Sequence, residues 1–221
     1  MFGERRPSCR HCGGDVLIAV EGVDQSGKQT QVEALAQHLR ERHQRVETLE
    51  FPVYTTPIGQ EIRAALASER SFPPDVLQLL FVANRGELRP QIEAWLADGA
   101  HVICDRYVAS SVAYGEAQGL DPRWLRDIQR FLPRPGLTVL LDITPSVAAL
   151  RKQRGRDRFE ADLALLERVR ESYLRQAREG KWITVDASQK KEEVALAVRA
   201  ALAPPGSLDP WIPGSLDPLI P

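Results

Sequence analysis

The residues with the clearest chemical capability form one stretch near the start of the chain, Gly22-Val23-Asp24-Gln25-Ser26-Gly27-Lys28-Gln29-Thr30. Its two glycines allow the backbone to turn so that successive N–H groups face an anion, and Lys28 adds a positive charge. An apolar run, Val16 to Val20, precedes the stretch, and an amphipathic segment follows it. A strand, a glycine-rich loop and a helix in this order predict a site for the phosphates of a nucleoside triphosphate.

One position in this loop departs from the usual pattern. The residue after Lys28 is commonly Ser or Thr, whose hydroxyl binds Mg²⁺, but here it is Gln29. Magnesium must therefore find other oxygens, and Thr30 remains available beside it. The alternative is a glycine-rich turn that binds nothing. The strand before the loop, the helix after it and the lysine all favour the phosphate site.

Length and composition predict a globular protein of one domain. It has 221 residues, of which 43% are apolar, and one α/β domain commonly fills this size. The net charge of −1 lacks the basic excess of a nucleic-acid binder, so we expect no nucleic acid polymer as a partner. No run approaches the ~18 apolar residues of a membrane span, and three cysteines make no disulfide framework. These features predict a cytoplasmic protein without a membrane partner.

The two ends of the chain differ in composition from its middle. Cys9 and Cys12 offer half of a zinc site, but no second pair completes it, so we expect a disordered leader over residues 1–14. Residues 206–213 recur almost unchanged at 214–221, with a proline spacing that suits neither helix nor central strand. We expect a disordered tail over residues 204–221, or a segment that docks as a peptide. The folded domain is then 15–203.

Apolar runs alternate with helical patterns along this domain. The predicted strands are Val16 to Val20, Val46 to Phe51, His101 to Asp105, Leu137 to Ile143, and Trp182 to Asp186. The predicted helix faces are Val32, Leu35, Ala36 and Leu39, and then Val76, Leu79, Leu80, Ala83 and Leu88. Alternation of this kind predicts a three-layer α/β fold, with a five-stranded parallel sheet covered by helices on both faces.

Further polar residues fall where the predicted strands end, which is where ligands bind in such sheets. Phe51-Pro52 follows the second strand, and Asp105-Arg106 follows the third. The Arg106 guanidinium fits a phosphate, and Asp105 would orient it or bind water around a metal. A buried structural ion pair is the alternative.

A helix and a basic segment supply two more candidates. Phe81 and Arg85 are four residues apart on a predicted helix, so a ring that stacks on a base and a guanidinium that donates to a base oxygen share one face. Core packing of Phe81 beside a solvated Arg85 is the alternative.

Residues 151–158 carry Arg151, Arg154, Arg156 and Arg158 around one glycine. They suit a lid that closes over a polyphosphate, or a solvated loop.

Five segments occur together in one order and carry a family resemblance. They are EGVDQSGKQTQ (21–31), FPVYTTPIG (51–59), FVANR (81–85), DRYVASSVAY (105–114) and VDASQ (185–189). The chain resembles the thymidylate (dTMP) kinase family from about Val16 to Leu202. The resemblance implies a P-loop NTPase fold, transfer of the ATP γ-phosphoryl group to dTMP in dTTP biosynthesis, Mg²⁺ as cofactor, and a homodimer.

The same resemblance implies roles for individual residues. Catalysis would involve Lys28, Arg106, Asp24 and the lid residues Arg154 and Arg156. ATP would bind the loop from Gly22 to Thr30. The acceptor would contact Phe51, Tyr54, Phe81, Arg85, Asp105, Arg106, Ser110, Ser111 and Tyr114. Asp24 and Asp105 would approach the metal, partly through water. In detail, Phe81 would stack on thymine, Arg85 would bond a thymine oxygen, and Tyr114 would face the sugar where a ribose carries its 2′-hydroxyl.

Two departures from the family pattern leave other functions open. Tyr54 stands where some members carry a phosphate-binding arginine, and Gln29 replaces Ser or Thr. A kinase for another nucleoside monophosphate, such as dUMP, CMP or UMP, shares every feature outside the base pocket. A nucleotide-binding regulatory protein without turnover is the alternative from another class, and Gln29 is its best support. A GTPase is disfavoured because the chain has no Asn-Lys-x-Asp motif.

Overall fold

The computed structural model describes residues 16–151, 159, 162–200 and 202. Its five strands form one parallel sheet. They are β1 (Leu17–Glu21), β2 (Arg45–Glu50), β3 (Ala100–Asp105), β4 (Leu137–Asp142) and β5 (Ile183–Asp186). Each lies within one residue of the predicted bounds, so the sheet predicted from the apolar runs is confirmed.

Eight helices connect the strands in the described part of the chain. They are α1 (Lys28–Glu41), α2 (Pro57–Leu66), α3 (Pro74–Ala97), α4 (Val108–Ala117), α5 (Pro122–Asp127), α6 (Pro145–Arg151), α7 (Leu163–Gly180) and α8 (Lys191–Ala200). None of the described helices is long and apolar enough to cross a membrane.

The strand order β2-β3-β1-β4-β5 places β1 at the centre of the sheet. Val20 of β1 is in register with Asp105 of β3 on one side and with Val139 of β4 on the other. From β1 the chain runs to the edge strand β2 and returns to β3 on one side, and it then crosses to β4 and β5 on the other side. This change of direction beside β1 opens a crevice at the carboxyl ends of the strands. The phosphate loop follows the end of β1 and Arg106 follows the end of β3, so both lie at this crevice.

The core lies on both faces of the sheet, as a parallel sheet between helices requires. Ile18 and Val20 of β1 pack into one large cluster, while Leu17 and Ala19 pack into a second. The predicted face of α1 is confirmed, because Val32, Leu35, Ala36 and Leu39 are all buried in the first cluster. Cys104, predicted as a small buried residue, is fully buried in the second, and its burial raises the pKa of its thiol.

The predicted face of α3 is confirmed only in part, because Leu80 and Leu88 pack against the two core clusters but Val76 and Leu79 do not. Val76 and Leu79 keep 36% and 45% of their surface exposed, whereas Leu77, Gln78, Val82, Asn84, Arg85 and Ile92 are buried. Asn84 is buried because its amide accepts from the Val53 N–H at 2.8 Å and donates to the Val53 carbonyl at 3.2 Å. The helix thus turns polar residues inward toward the crevice and leaves an apolar pair outside.

Several sequence predictions fall outside the described residues. They concern the leader 1–14 with Cys9 and Cys12, the tail 204–221, and the lid arginines Arg154, Arg156 and Arg158. The division of the chain at 15 and 203 therefore stays a prediction.

Candidate active site

The loop from Gly22 to Gly27 turns tightly around the end of β1. A Cβ on Gly22 would lie 2.6 Å from the Leu141 carbonyl oxygen and 2.8 Å from Ser26 Oγ, so no side chain fits there. Gly27 has φ 91° and caps α1, which begins at Lys28. These two conformations are what a glycine permits at low cost. They leave the N-terminal N–H groups of α1 pointing into the crevice.

Lys28 is buried in this loop, and its ammonium donates to the Val23 carbonyl at 3.0 Å. Burial lowers the pKa of its amine, and the positive charge of Arg106 lowers it further, while Asp105 and Asp24 oppose this shift. A cation in such surroundings is stabilised by an incoming polyphosphate. Lys28 therefore has the position and charge to bind a triphosphate.

Arg106 and Asp24 form an ion pair across the crevice. Arg106 Nη1 also donates to the Gly22 carbonyl at 3.1 Å, and Tyr114 Oη donates to Asp24 Oδ2 at 2.6 Å. Burial would raise the pKa of the Asp24 carboxyl, but the charges of Arg106 and Lys28 outweigh it and lower that pKa. Arg106 thus pairs with Asp24 and not with its neighbour Asp105, which corrects the expectation that Asp105 orients it.

The backbone of Arg106 is in the left-handed region, with φ 64°. Its N–H donates to the Val20 carbonyl at 3.0 Å, which continues the β1–β3 pairing by one residue. A non-glycine residue in this region costs of order 1–3 kcal/mol and marks functional sites. The turn directs the guanidinium across β1 toward the phosphate loop.

Two residues that the sequence analysis missed organise this cluster. The fully buried Glu21 carboxylate accepts from the Tyr107 N–H at 2.9 Å, from Ser110 Oγ at 2.7 Å and from Tyr173 Oη at 3.1 Å. Burial raises the pKa of the Tyr173 phenol well above its ordinary value. Glu21 and Tyr173 therefore position Ser110 beside Arg106. The family segment begins with Glu21, which is the one signal the sequence offered.

A second cluster lies between α3 and α4. Arg85 is 2% exposed, and its Nη1 donates to Ser111 Oγ at 2.8 Å and to Gln129 Oε1 at 3.3 Å. Its guanidinium carbon lies 5.9 Å from the centre of the Phe51 ring. A solvated Arg85, the alternative considered from the sequence, is therefore wrong. Phe81 is half-buried and lies one turn before Arg85 on the same helix.

One cavity of about 540 Å³ joins the phosphate loop to this second cluster. Its size falls in the range of pockets that hold small molecules. It is bordered by Asp24, Gln25, Gly27, Lys28, Gln29, Thr30, Glu50, Phe51, Pro52, Tyr54, Leu66, Gln78, Phe81, Arg85, Asp105, Arg106, Ser110, Ser111, Tyr114 and Phe159. All nine predicted acceptor residues are among them. Gly22, Val23 and Ser26 of the predicted ATP loop are not.

Tyr54, which stands where some family members carry an arginine, borders the larger cavity. The guanidinium of Arg63 lies 4.8 Å from the centre of the Tyr54 ring. Phe159, which follows the lid segment, packs its ring against Tyr114 at 5.6 Å between centres. Phe159 itself borders the larger cavity, and residues 152–158 lie outside the described residues.

A smaller cavity of about 370 Å³ lies on the other side of the phosphate loop. It runs from Gly27 and Thr30 to Gln189, in the loop between β5 and α8, and to Lys191 at the start of α8. Arg151 spans it, with Nη1 donating to the Gln25 carbonyl at 3.2 Å and Nη2 donating to the Ala187 carbonyl at 2.6 Å. The two cavities meet at the loop, so two ligands can approach it from opposite sides.

The oxygen donors of the site suit a hard cation that is shared with a ligand. No group of three or more His, Cys, Asp or Glu residues in the described chain could hold a metal by itself. Both Asp24 oxygens already accept hydrogen bonds, from Arg106 and Tyr114. Asp105 also borders the larger cavity, beside Lys28. Mg²⁺ commonly takes one or two carboxylates and completes its shell with phosphates and water, which fits this donor set.

Gln29 is directed along the outside of α1, where its Nε2 donates to Glu33 Oε1 at 3.2 Å. We therefore expect Gln29→Ala to change kcat and the Mg²⁺ concentration for half-maximal rate by less than about threefold, or ~0.7 kcal/mol. Steady-state rates over a magnesium titration measure this. A loss of tenfold or more would show that Gln29 serves the metal or the nucleotide. Glu33→Ala is the matched control on the same helix.

The phosphate loop follows the central strand and opens into a cavity that Lys28 and Arg106 border together with Phe81. This arrangement is that of a P-loop kinase of nucleoside monophosphates. A family model described as thymidylate kinase matches residues 20–198. The thymidylate kinase of Schizosaccharomyces pombe is 38% identical over 183 residues, covering 80% of this chain and 87% of that protein. The thymidylate kinase of Danio rerio is 35% identical over 186 residues, covering 83% of this chain and 87% of that protein.

A solved thymidylate kinase from Candida albicans superimposes with a TM-score of 0.75 at 29% identity, over 85% of this chain and 90% of that one. The chain belongs to the thymidylate kinase family. The predicted resemblance and the predicted P-loop fold are therefore confirmed.

Proposed function

We propose that this protein transfers the γ-phosphoryl group of ATP to dTMP, giving dTDP and ADP as a step of dTTP biosynthesis. The observation that carries the proposal is the cavity of about 540 Å³, with Lys28 and Arg106 at one end and Phe81 and Arg85 at the other. A monophosphate whose base stacks on Phe81 would direct its phosphate toward Arg106. Membership of the thymidylate kinase family supports dTMP as that acceptor.

In this reaction an oxygen of the acceptor phosphate attacks the γ-phosphorus, the bond to the β,γ-bridging oxygen breaks, and ADP leaves. The acceptor is already anionic near neutral pH, so alignment and neutralisation of charge replace a strong base. Lys28 would bind the ATP phosphates, and Arg106 would hold the acceptor phosphate. The smaller cavity beside Arg151 would take the rest of ATP, with Gly22 to Thr30 around its phosphates.

Mg²⁺ is the proposed cofactor, and when bound it would neutralise negative charge on the nucleotide phosphates. Asp105, and Asp24 through water, would hold it together with those phosphates. Arg154 and Arg156 are proposed as lid residues that close over the polyphosphate. Closure would exclude water, which competes with dTMP as acceptor.

The sugar of the acceptor would lie against Tyr114, which is held by its bond to Asp24. The Tyr114 ring would then occupy the edge where a ribose carries its 2′-hydroxyl, so ribonucleotides would be disfavoured. Ser110 and Ser111 would lie beside the base, Phe51 behind Arg85, and Tyr54 near the acceptor phosphate.

Labelled ATP tests the proposal directly. With [γ-³²P]ATP, Mg²⁺ and dTMP, we expect the label in dTDP and almost none in inorganic phosphate. ATP consumption that needs no acceptor would contradict a kinase. ATP binding without any turnover would favour the regulatory alternative, whereas labelling of another monophosphate alone would keep the mechanism and replace the acceptor.

We further propose a homodimer in the cytoplasm. The exposed pair Val76 and Leu79 on α3 supports an interface, because apolar side chains at adjacent turns of one helix suit contact with a second copy. Sedimentation equilibrium is expected to give twice the chain mass of 24.7 kDa, and Leu79→Glu is expected to shift the protein to monomer. A wild-type monomer at micromolar concentration would contradict the dimer. Recovery of the native activity in a membrane fraction would contradict the compartment.

A further inference from the structure

Gln78 is a buried polar residue of α3 that has no hydrogen-bond partner among the described residues. Its side chain is fully buried, and neither Oε1 nor Nε2 makes a hydrogen bond within the protein as described. Buried amide groups almost always have a partner, since leaving one without any is costly. An amide in this state indicates a ligand or a water that completes it.

The position of Gln78 connects it to the acceptor cavity. It borders that cavity together with Phe81 and Arg85. These three residues have the helical spacing i, i+3 and i+7, so they share one face of α3. With a rise of 1.5 Å per residue, Gln78 and Arg85 are about 10 Å apart along the helix axis, and Phe81 lies between them. A base stacked on Phe81 is therefore approached by one polar side chain from each end.

The facing helix leaves room for the glutamine. A Cβ on Gly115 of α4 would lie 3.3 Å from Gln78 Cγ and 2.7 Å from Leu125 Cδ1, so Gly115 lets the Gln78 stem pack closely. One turn earlier on α4, Ser111 accepts from Arg85 at 2.8 Å. The cleft between α3 and α4 thus holds a polar group at each end, and among the described residues Arg85 has partners for Nη1 whereas the Gln78 amide has none.

We propose that Gln78 is a specificity-determining residue whose amide donates to the 2-carbonyl of the pyrimidine base, while Arg85 binds the 4-carbonyl. This inference rests on the proposed function, because it takes dTMP as the acceptor. The two carbonyls flank the ring nitrogen N3 and lie on one edge of the base. Adenine and guanine present no carbonyl pair of this spacing, so Gln78 favours thymine and uracil over them.

Pairing a variant with a substrate analogue tests this contact. Sulfur accepts hydrogen bonds poorly, so we expect the wild-type enzyme to bind 2-thio-dTMP about 3- to 10-fold more weakly than dTMP. Gln78→Met keeps the shape and removes the donor. We expect this variant to bind dTMP about 3- to 10-fold more weakly, with kcat within about twofold of wild type, and to bind 2-thio-dTMP and dTMP equally. Gln78→Leu also removes the donor and serves as the second variant for the same measurements.

The analogue 4-thio-dTMP is the matched control, because both enzymes should discriminate against it to the same extent through Arg85. A Gln78→Met enzyme that still prefers dTMP over 2-thio-dTMP as strongly as wild type would overturn the inference. So would a loss of discrimination at position 4 alone. Thermal melting without nucleotide checks the fold, and the variant should melt no lower than wild type, since it removes an unpaired amide.

Calorimetric titration supplies these affinities without turnover, which separates the two proposals. If the wild type binds dTMP with the expected analogue pattern but phosphorylates only another acceptor, the proposed function fails and the Gln78 contact stands. If dTMP is phosphorylated but the two enzymes respond alike to 2-thio-dTMP, the Gln78 contact fails and the function stands.

Discussion

Replacing Arg106 by methionine is expected to lower kcat/KM for phosphoryl transfer at least about 10³-fold, while the Kd of ATP changes by less than about threefold. A preorganised cation that meets charge developing in the transition state contributes this much in related chemistry. The Arg106 guanidinium is held toward the crevice by Asp24 and by the Gly22 carbonyl, so it is in place before the acceptor binds. Steady-state kinetics and ATP titration measure the two effects.

The ion pair requires a control, since removing Arg106 alone leaves the Asp24 carboxylate without its cation, which destabilises a partly buried site. The double variant Asp24→Asn with Arg106→Met removes both charges together. It should melt closer to wild type than Arg106→Met and still lack transfer. The surface change Arg89→Met breaks only the pair with Glu93 and should have no effect on rate. Equal losses of ATP binding and transfer would show that Arg106 is structural.

Lys28→Met is expected to lower kcat about 10³-fold and also to weaken ATP binding, which distinguishes it from Arg106→Met. The Lys28 ammonium is buried beside the phosphate loop, where water cannot replace its charge. Rates at saturating ATP and the Kd of ATP measure both parts. Lys181→Met, in the turn between α7 and β5, is the matched control and should leave both values unchanged. Full activity in the Lys28 variant would contradict the phosphate site itself.

The sheet could be predicted because its signal is local. The three inner strands β1, β3 and β4 are short apolar runs buried on both faces, which is the pattern of a parallel sheet. The edge strand β2 alternates exposed and buried residues instead, and that alternation is also a strand signal. The signal of the phosphate loop is equally local in sequence, because Gly22 and Gly27 lie within six residues and both have a positive φ.

The face of α3 could be predicted only in part by the same reasoning. Its apolar positions Val76 and Leu79 are exposed, while Gln78 and Asn84 are buried. Apolar periodicity indicates what a helix hides from water, and it does not distinguish a core from a surface that a second copy would cover. Gln78 borders the acceptor cavity, and Asn84 bonds the backbone of Val53. A count of apolar positions along a helix does not register polar residues that are buried for such reasons.

The cluster around Glu21 was missed for a different reason. Its partners Ser110 and Tyr173 lie 89 and 152 residues further along the chain, and only the fold brings them together. The pairing of Arg106 with Asp24 rather than Asp105 has the same origin, since the left-handed turn at Arg106 points the side chain away from its neighbour.

Comparison of acceptors under one set of conditions tests dTMP phosphorylation most directly. ADP release with ATP and Mg²⁺ would be measured for dTMP, dUMP, UMP, CMP and dGMP separately, beside a reaction without acceptor. We expect the highest kcat/KM with dTMP, a lower value with dUMP, and rates near the blank with UMP and dGMP. A higher kcat/KM for any other acceptor, or ADP release equal to the blank with dTMP, would contradict dTMP as the substrate.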